Sequence, residues 1–218
     1  MSSVDGRRPK FAPMLAVTAL ALAVVAVGWG CKASDGPPNT GHDLSETSTP
    51  VFLRPNPNVP HLQFTNQEGN TVSLSGLVGK PVLISFIYTR CPMMKMCPLT
   101  TRNVAEVQHL LTSSERATVA LVSLTFDPEF DTPRVLKEYG ETYGADFDTW
   151  EFWTGSEQDT TDLMDVYGAW AKKSGDDFDH NMRSVILHAD GSFAMELRGS
   201  DWDATEAADR LRKLLDES

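Results

Sequence analysis

Two cysteines with five residues between them, Cys91 and Cys97, bound the stretch Cys91-Pro92-Met93-Met94-Lys95-Met96-Cys97. It packs two thiols and three thioethers together as nowhere else in the chain, and Pro98 follows at once. Soft sulfur of this kind favours Cu(I), zinc or an iron–sulfur cluster over hard cations. The same two thiols can instead cycle between dithiol and disulfide. As a plain structural cross-link the pair closes so short a loop that little stabilisation comes from loop entropy. A closed structural zinc site needs four ligands. Two further residues are placed to join such a site. Asp127 lies in Ser123-Leu-Thr-Phe-Asp-Pro-Glu-Phe-Asp-Thr-Pro133, and His180 in Phe178-Asp179-His180-Asn181-Met182. Alone, Asp127 before Pro128 also reads as an ordinary turn residue.

The elements that must position these residues follow from periodicity. Phe64 to Leu74 reads as a hairpin turning at Glu68-Gly69-Asn70. Pro81 to Tyr88 is a continuous run of apolar β-formers, hence a buried strand, and it delivers Cys91 at its carboxyl end. Pro98 suits a helix start, and Val104, Val107 and Leu111 continue at helical spacing. Thr118 to Thr125 is a second buried strand, with Asp127 just beyond it. Thr132-Pro133 starts a helix that runs to Gly144, and Trp150 to Trp153 is a short strand. Ser156 caps a helix whose apolar face is Leu163, Val166, Tyr167 and Trp170. Arg183 to Ala189 and Ser192 to Arg198 flank Asp190-Gly191 as a two-residue hairpin turn, and Asp201 opens a last helix with Ala207, Ala208, Leu211, Leu214 and Leu215 inward. Trp150, Trp153, Trp170 and Trp202 are expected in or partly in the core.

This order predicts an α/β fold of thioredoxin-like type: a central mixed sheet with helices on both faces, an N-terminal β-hairpin and one inserted β-α unit at roughly 150–171. Cys91 then sits at the sheet edge where open α/β folds bind ligands. Cys97, just before a helix, is expected to be the activated thiol through the helix N-terminus, and Cys91 the exposed one.

Residues 1–10 carry Arg7, Arg8 and Lys10, and residues 11–29 are apolar without a charge. A basic stretch followed by an apolar one reads as an export signal or a membrane anchor. Nineteen residues at about 1.5 Å each just cross a hydrocarbon core of roughly 30 Å. Gly28-Trp29-Gly30-Cys31 ends the segment, and a small residue before Cys resembles a bacterial lipoprotein cleavage site, with Cys31 as the lipid-bearing residue. Its aliphatic and small positions are held by Gly28 and Trp29, so an uncleaved anchor or an ordinary cleaved signal stays open. All three place the body on the extracytoplasmic side. Residues 32–58, rich in Ser, Asp, Asn, Thr, Gly and Pro, read as a flexible tether, and the folded domain spans 59–218. The formal net charge of −11 disfavours a nucleic-acid partner.

The runs FIYTRCPMMKMCPLTTRN, SLTFDPEFDTP and DHNMRSVILHADGSFAMELRGSDW resemble the Sco/SenC family, membrane-tethered thioredoxin-like copper proteins of cytochrome c oxidase assembly. The resemblance covers roughly 59–216. It implies one copper, Cu(I) or Cu(II), held by Cys91, Cys97 and His180, with Asp127 beside the site and a copper donor upstream. It implies delivery of copper to the binuclear centre of oxidase subunit II, or reduction of that subunit's cysteines by the Cys91–Cys97 redox pair. The family usually leaves three residues between its cysteines. The five here require a bulged loop, which brings Met93, Met94 and Met96 forward as possible extra ligands. A peroxidase of the same fold class is disfavoured, because Ile84 and Tyr88 stand where its Pro and Thr or Ser belong.

Overall fold

The computed structural model describes residues 59–217. The expectations for 1–31, for Cys31 and for the tether 32–58 therefore fall outside the described residues. No helix among the described residues is long and apolar enough to cross a membrane.

In chain order, β1 (Phe64–Asn66) and β2 (Thr71–Val72) form the opening hairpin, followed by β3 (Val82–Ile87), α1 (Cys97–Leu110) and a short α2 (Ser113–Thr118). Then come β4 (Ala120–Thr125), α3 (Pro133–Thr142), β5 (Trp150–Gly155) and α4 (Glu157–Val166). The chain ends with β6 (Ala171–Ser174), β7 (Asp177–His180), β8 (Arg183–Leu187), β9 (Phe193–Arg198) and α5 (Ala204–Asp216). Seven strands make one mixed sheet in the order β2-β1-β5-β4-β3-β8-β9. β3, β4 and β5 are parallel, with β3 and β4 in register from Val82–Ala120 to Ile87–Thr125, and the flanking pairs are antiparallel. Every residue of β3 and β4 is buried, so the sheet is covered on both faces at its centre. This is the expected thioredoxin-like arrangement with one added β-α unit.

The starts of α3 and α4 follow the sequence signals, whereas α5 is capped by Asp203 and not opened by Asp201. Thr132 and Ser156 accept from Val135 N–H and Asp159 N–H as N-caps of α3 and α4. α2 escaped the reading that began a strand at Thr118: it is one short turn of exposed polar residues, marked by a capping box between Thr112 and Glu115. The Asp190-Gly191 turn is also longer than expected. His188 N–H donates to Ser192 C=O at 2.8 Å, which leaves three residues in the loop with Gly191 at φ 82. Trp150 and Trp153 are fully buried, but Trp170 is 50% exposed, because α4 ends at Val166 and the helical spacing that turned it inward stops there.

The sheet edge that carries Cys91 is tied together by one carboxylate. Asp131, fully buried, accepts from Thr89 N–H at 3.0 Å, from the Thr89 hydroxyl at 2.5 Å and from the Thr125 hydroxyl. Thr125 ends β4 and Thr89 lies two residues past β3, so Asp131 staples the tips of neighbouring parallel strands. Burial pushes its carboxyl above the usual range, against the pull of these donors. Asp131→Ala leaves buried donors without an acceptor and is expected to lower stability by about 3 kcal/mol. Urea unfolding followed by circular dichroism checks this, and a loss below about 0.5 kcal/mol contradicts the staple.

Candidate metal centre

Cys91, Cys97 and His180 converge. One ligand atom from each lies within 4.8 Å of the others, and among the described residues this is the one such grouping of His, Cys, Asp or Glu. Both thiols are free and buried, and His180 is half-buried.

The two cysteines arrive by different routes. β3 runs out at Ile87, and the chain bends so that Cys91 N–H reaches Tyr88 C=O at 3.4 Å. A second bend, Met96 N–H to Met93 C=O at 2.8 Å, carries it into α1. Cys97 is the first residue of that helix and Pro98 the second, where a missing N–H costs nothing. Met96 occupies the cap position without a side-chain hydrogen bond. The expectation of an activated Cys97 and an exposed Cys91 fails on both counts: both sulfurs are buried, and it is the Cys91 thiolate that is favoured. The Cys91 sulfur takes hydrogen bonds from the Cys97 thiol, from His180 and from the backbone at Met93 and Cys97, which hold its pKa well below the usual thiol range against the cost of burial. The Cys97 thiol is pushed up, first by donating to Cys91 and then by burial. The free N–H groups of a helix point outward beyond its first residue. Both sulfurs meet the Cys97 N–H; what separates them is the thiol-to-thiolate hydrogen bond from Cys97 to Cys91 and the deeper burial of Cys97.

His180 comes from β7. β6 and β7 form a two-stranded hairpin separate from the main sheet, pairing Ala171 with His180 and Ser174 with Asp177. The sequence signals placed no strand around His180. The hairpin's pattern, Ala-Lys-Lys-Ser and Asp-Phe-Asp-His, carries too little apolar alternation to announce a strand. Asn181 fixes its base: its side chain donates to Gly168 C=O at 2.9 Å and accepts from Trp170 N–H at 2.9 Å. His180 Nδ1 lies 3.0 Å from Asn181 C=O. A carbonyl only accepts, so Nδ1 carries the proton; the hydrogen bond to the Cys91 thiolate then comes from Nε2–H of the imidazolium, and loss of that proton frees the Nε2 lone pair for a ligand. Burial disfavours the imidazolium, but Cys91, the Asn181 carbonyl and Asp177 together outweigh it and raise the His180 pKa. The ring is packed by Phe126, with centroids 5.0 Å apart, and by the edge of Tyr88 at 5.7 Å. Tyr88 in turn donates its hydroxyl to Asp177 in the hairpin.

A comparison with protein families matches the SCO1/SenC model over residues 53–216. The chain belongs to the SCO1/SenC family. The SCO1 protein homolog of Bacillus subtilis is 32% identical over 140 residues, 62% of this chain and 71% of that protein. The structure of Bradyrhizobium japonicum ScoI, described with copper bound, is 29% identical with a TM-score of 0.61, covering 70% of this chain and 96% of that one. BsSco, described with a disulfide switch and as a member of the Sco family of cytochrome c oxidase assembly proteins, is also 29% identical with a TM-score of 0.62, over 72% of this chain and 92% of that one.

The remaining sequence candidates are placed differently in this SCO1/SenC chain. Asp127 is buried but is not part of the three-residue cluster; it binds Arg90 through Oδ2, at 2.5 Å to Nη2 and 3.1 Å to Nε. It therefore steadies the residue before Cys91. Met93 and Met94 are exposed, while Met96 packs partly against the core. His61 and His109 are exposed and His188 half-buried, all outside the cluster. Tyr88, Asp131, Asp177 and Asn181 were not singled out from the sequence. Their partners lie 42 residues away for Thr89–Asp131 and 89 for Tyr88–Asp177, beyond any local pattern.

Iodoacetamide at about pH 6 should modify Cys91 ahead of Cys97, as read by peptide mass spectrometry. His180→Ala removes one of the groups that stabilise the Cys91 thiolate, so the pH midpoint of Cys91 alkylation should move upward. An unchanged or lowered midpoint contradicts the assignment.

Proposed function

We propose that this domain is a copper carrier, with Cys91 Sγ, Cys97 Sγ and His180 Nε2 as the donor set. The observation that carries the reading is the convergence of one ligand atom from each of these three residues, from a strand-to-helix loop and a separate hairpin. Two thiolates suit Cu(I), and adding an imidazole suits Cu(II), so both states fit the same donors. No fourth His, Cys, Asp or Glu joins the cluster among the described residues, which fits a closed structural zinc site poorly. A site short of saturation leaves room for a donor atom from a partner, as transfer of a bound ion between proteins requires. Copper is here cargo, and the recipient best supported by family membership is the copper centre of cytochrome c oxidase subunit II or a similar copper protein. Met93 and Met94 stand exposed in the long loop and can add a thioether from the solvent side.

The second reading is a thiol–disulfide reductase, favoured by the unequal thiols. Cys91 is poised as thiolate beside a protonated Cys97. The Cys91 thiolate would attack a partner disulfide and release one partner thiolate. The Cys97 thiol, giving up its proton, would then attack the mixed disulfide, leaving Cys91–Cys97 oxidised and the partner a dithiol.

In both readings the N-terminus holds the domain to the membrane on the extracytoplasmic side. Residues 1–31 serve as signal or anchor, with Cys31 as the lipidation point in the lipoprotein case, and 32–58 as tether.

The purified, reduced protein should bind one copper with sulfur-to-copper charge-transfer absorption, and Cys91→Ser should abolish it. His180→Ala should lose copper retention yet keep disulfide reduction. Absence of any copper complex in the reduced protein would overturn the carrier reading in favour of the reductase.

A further inference from the structure

A cleft of about 240 Å³ opens beside the metal centre, between α4, the loop after β4 and the β6–β7 hairpin. Its apolar lining includes Phe126, Met164 and Phe178, and its exposed residues include Glu157, Asp165 and Trp170. Thr160 also lines it, with a buried hydroxyl that has no hydrogen-bond partner. The volume falls below the roughly 300 Å³ at which small-molecule pockets begin. It suits one long side chain better than a cofactor.

The chemistry of the cleft is one-sided. Glu157 and Asp165 make no ion pair among the described residues. Lys173, the basic residue on its wall, is already engaged by Glu129. Trp170 is 50% exposed and lines the cleft. Free carboxylates, an indole face and an apolar throat together select a guanidinium on an aliphatic stem. The stem packs below, the planar cation stacks on the indole, and its fork of N–H groups meets a carboxylate at the rim, Glu157 at one end of α4 or Asp165 at the other.

The surroundings mark the same face for contact. Of the five large apolar side chains exposed among the described residues, Met93, Met94 and Phe130 lie on loops that leave the carboxyl ends of β3 and β4, and Trp170 lines the cleft beside the second of these loops. The cleft also shares walls with the metal centre. Phe126 and Phe178 line it, their centroids are 5.4 Å apart, and Phe126 packs on His180 at 5.0 Å.

We propose that this cleft receives an arginine side chain from the protein that exchanges copper with the Cys91–Cys97–His180 site. The partner's role rests on the carrier reading above; the cleft's preference for arginine does not. An arginine seated here anchors the partner within two aromatic rings of His180 and orients it over the exposed methionines.

The test titrates the full, metal-free chain with N-acetylarginine amide and follows ¹H–¹⁵N NMR shifts, the Trp170 indole N–H above all. Saturable shifts at Trp170 and along residues 157–171 are expected in the millimolar range, weakening about threefold or more as salt screens the carboxylates. N-acetylcitrulline amide, the neutral isostere, should leave Trp170 unmoved. The Glu157→Gln/Asp165→Asn pair, both surface changes, should remove the arginine response. A silent Trp170, an equal response to citrulline, or full binding by the double variant overturns the proposal. Copper retention is measured on the same proteins. Arginine binding without copper retention sinks the carrier reading and the partner's role with it. Retained copper with a silent Trp170 sinks the cleft alone.

Discussion

The meeting of the Cys91 sulfur with the N-terminal end of α1 is the contact on which the site depends. A buried thiolate is costly unless hydrogen bonds replace the water it has lost. Here the replacements come from the Cys97 thiol, from His180 and from backbone groups at Met93 and Cys97. The long loop between the cysteines allows this, because it leaves the first sulfur outside the helix and winds the second into its first turn. One cysteine is thereby poised as an anion and the other as a neutral donor, the opposite of what helix position alone suggested.

His180 must be brought to that sulfur by an element with little core of its own. The β6–β7 hairpin is two short, largely exposed strands outside the main sheet. Its position is over-determined instead by side chains: Asn181 at its base, Asp177 bound by Tyr88, and Phe178 packed against Phe126 and Tyr88. Tyr88 belongs to the β3 segment that delivers Cys91, so one residue supports both halves of the donor set. The arrangement combines a rigid sulfur pair on the sheet edge with an imidazole on a lightly built arm.

Much of this was legible beforehand because it rests on local patterns. The runs Val82–Ile87 and Ala120–Thr125 are apolar and β-branched, and only a doubly covered strand tolerates that composition. Thr132 and Ser156 announce their helices by capping chemistry. Elements without a strong local signal were read less well. The one-turn α2 and the polar β6–β7 hairpin lack a period, and the exposure of Trp170 depends on where α4 stops.

The amino-acid sequence by itself determined the donor types, their order, the fold class that brings strand ends and helix starts to one edge, and the family. Residue identity and short-range periodicity carry that information. The tertiary structure alone decided which thiol is activated, that Asp127 serves Arg90 and not the three-residue cluster, and that Asp131, Tyr88 and Asn181 hold the site in place. It also opened the acidic cleft next to His180. These are relations between groups tens of residues apart. Their energies depend on distance and on exclusion of water, which only the folded chain sets.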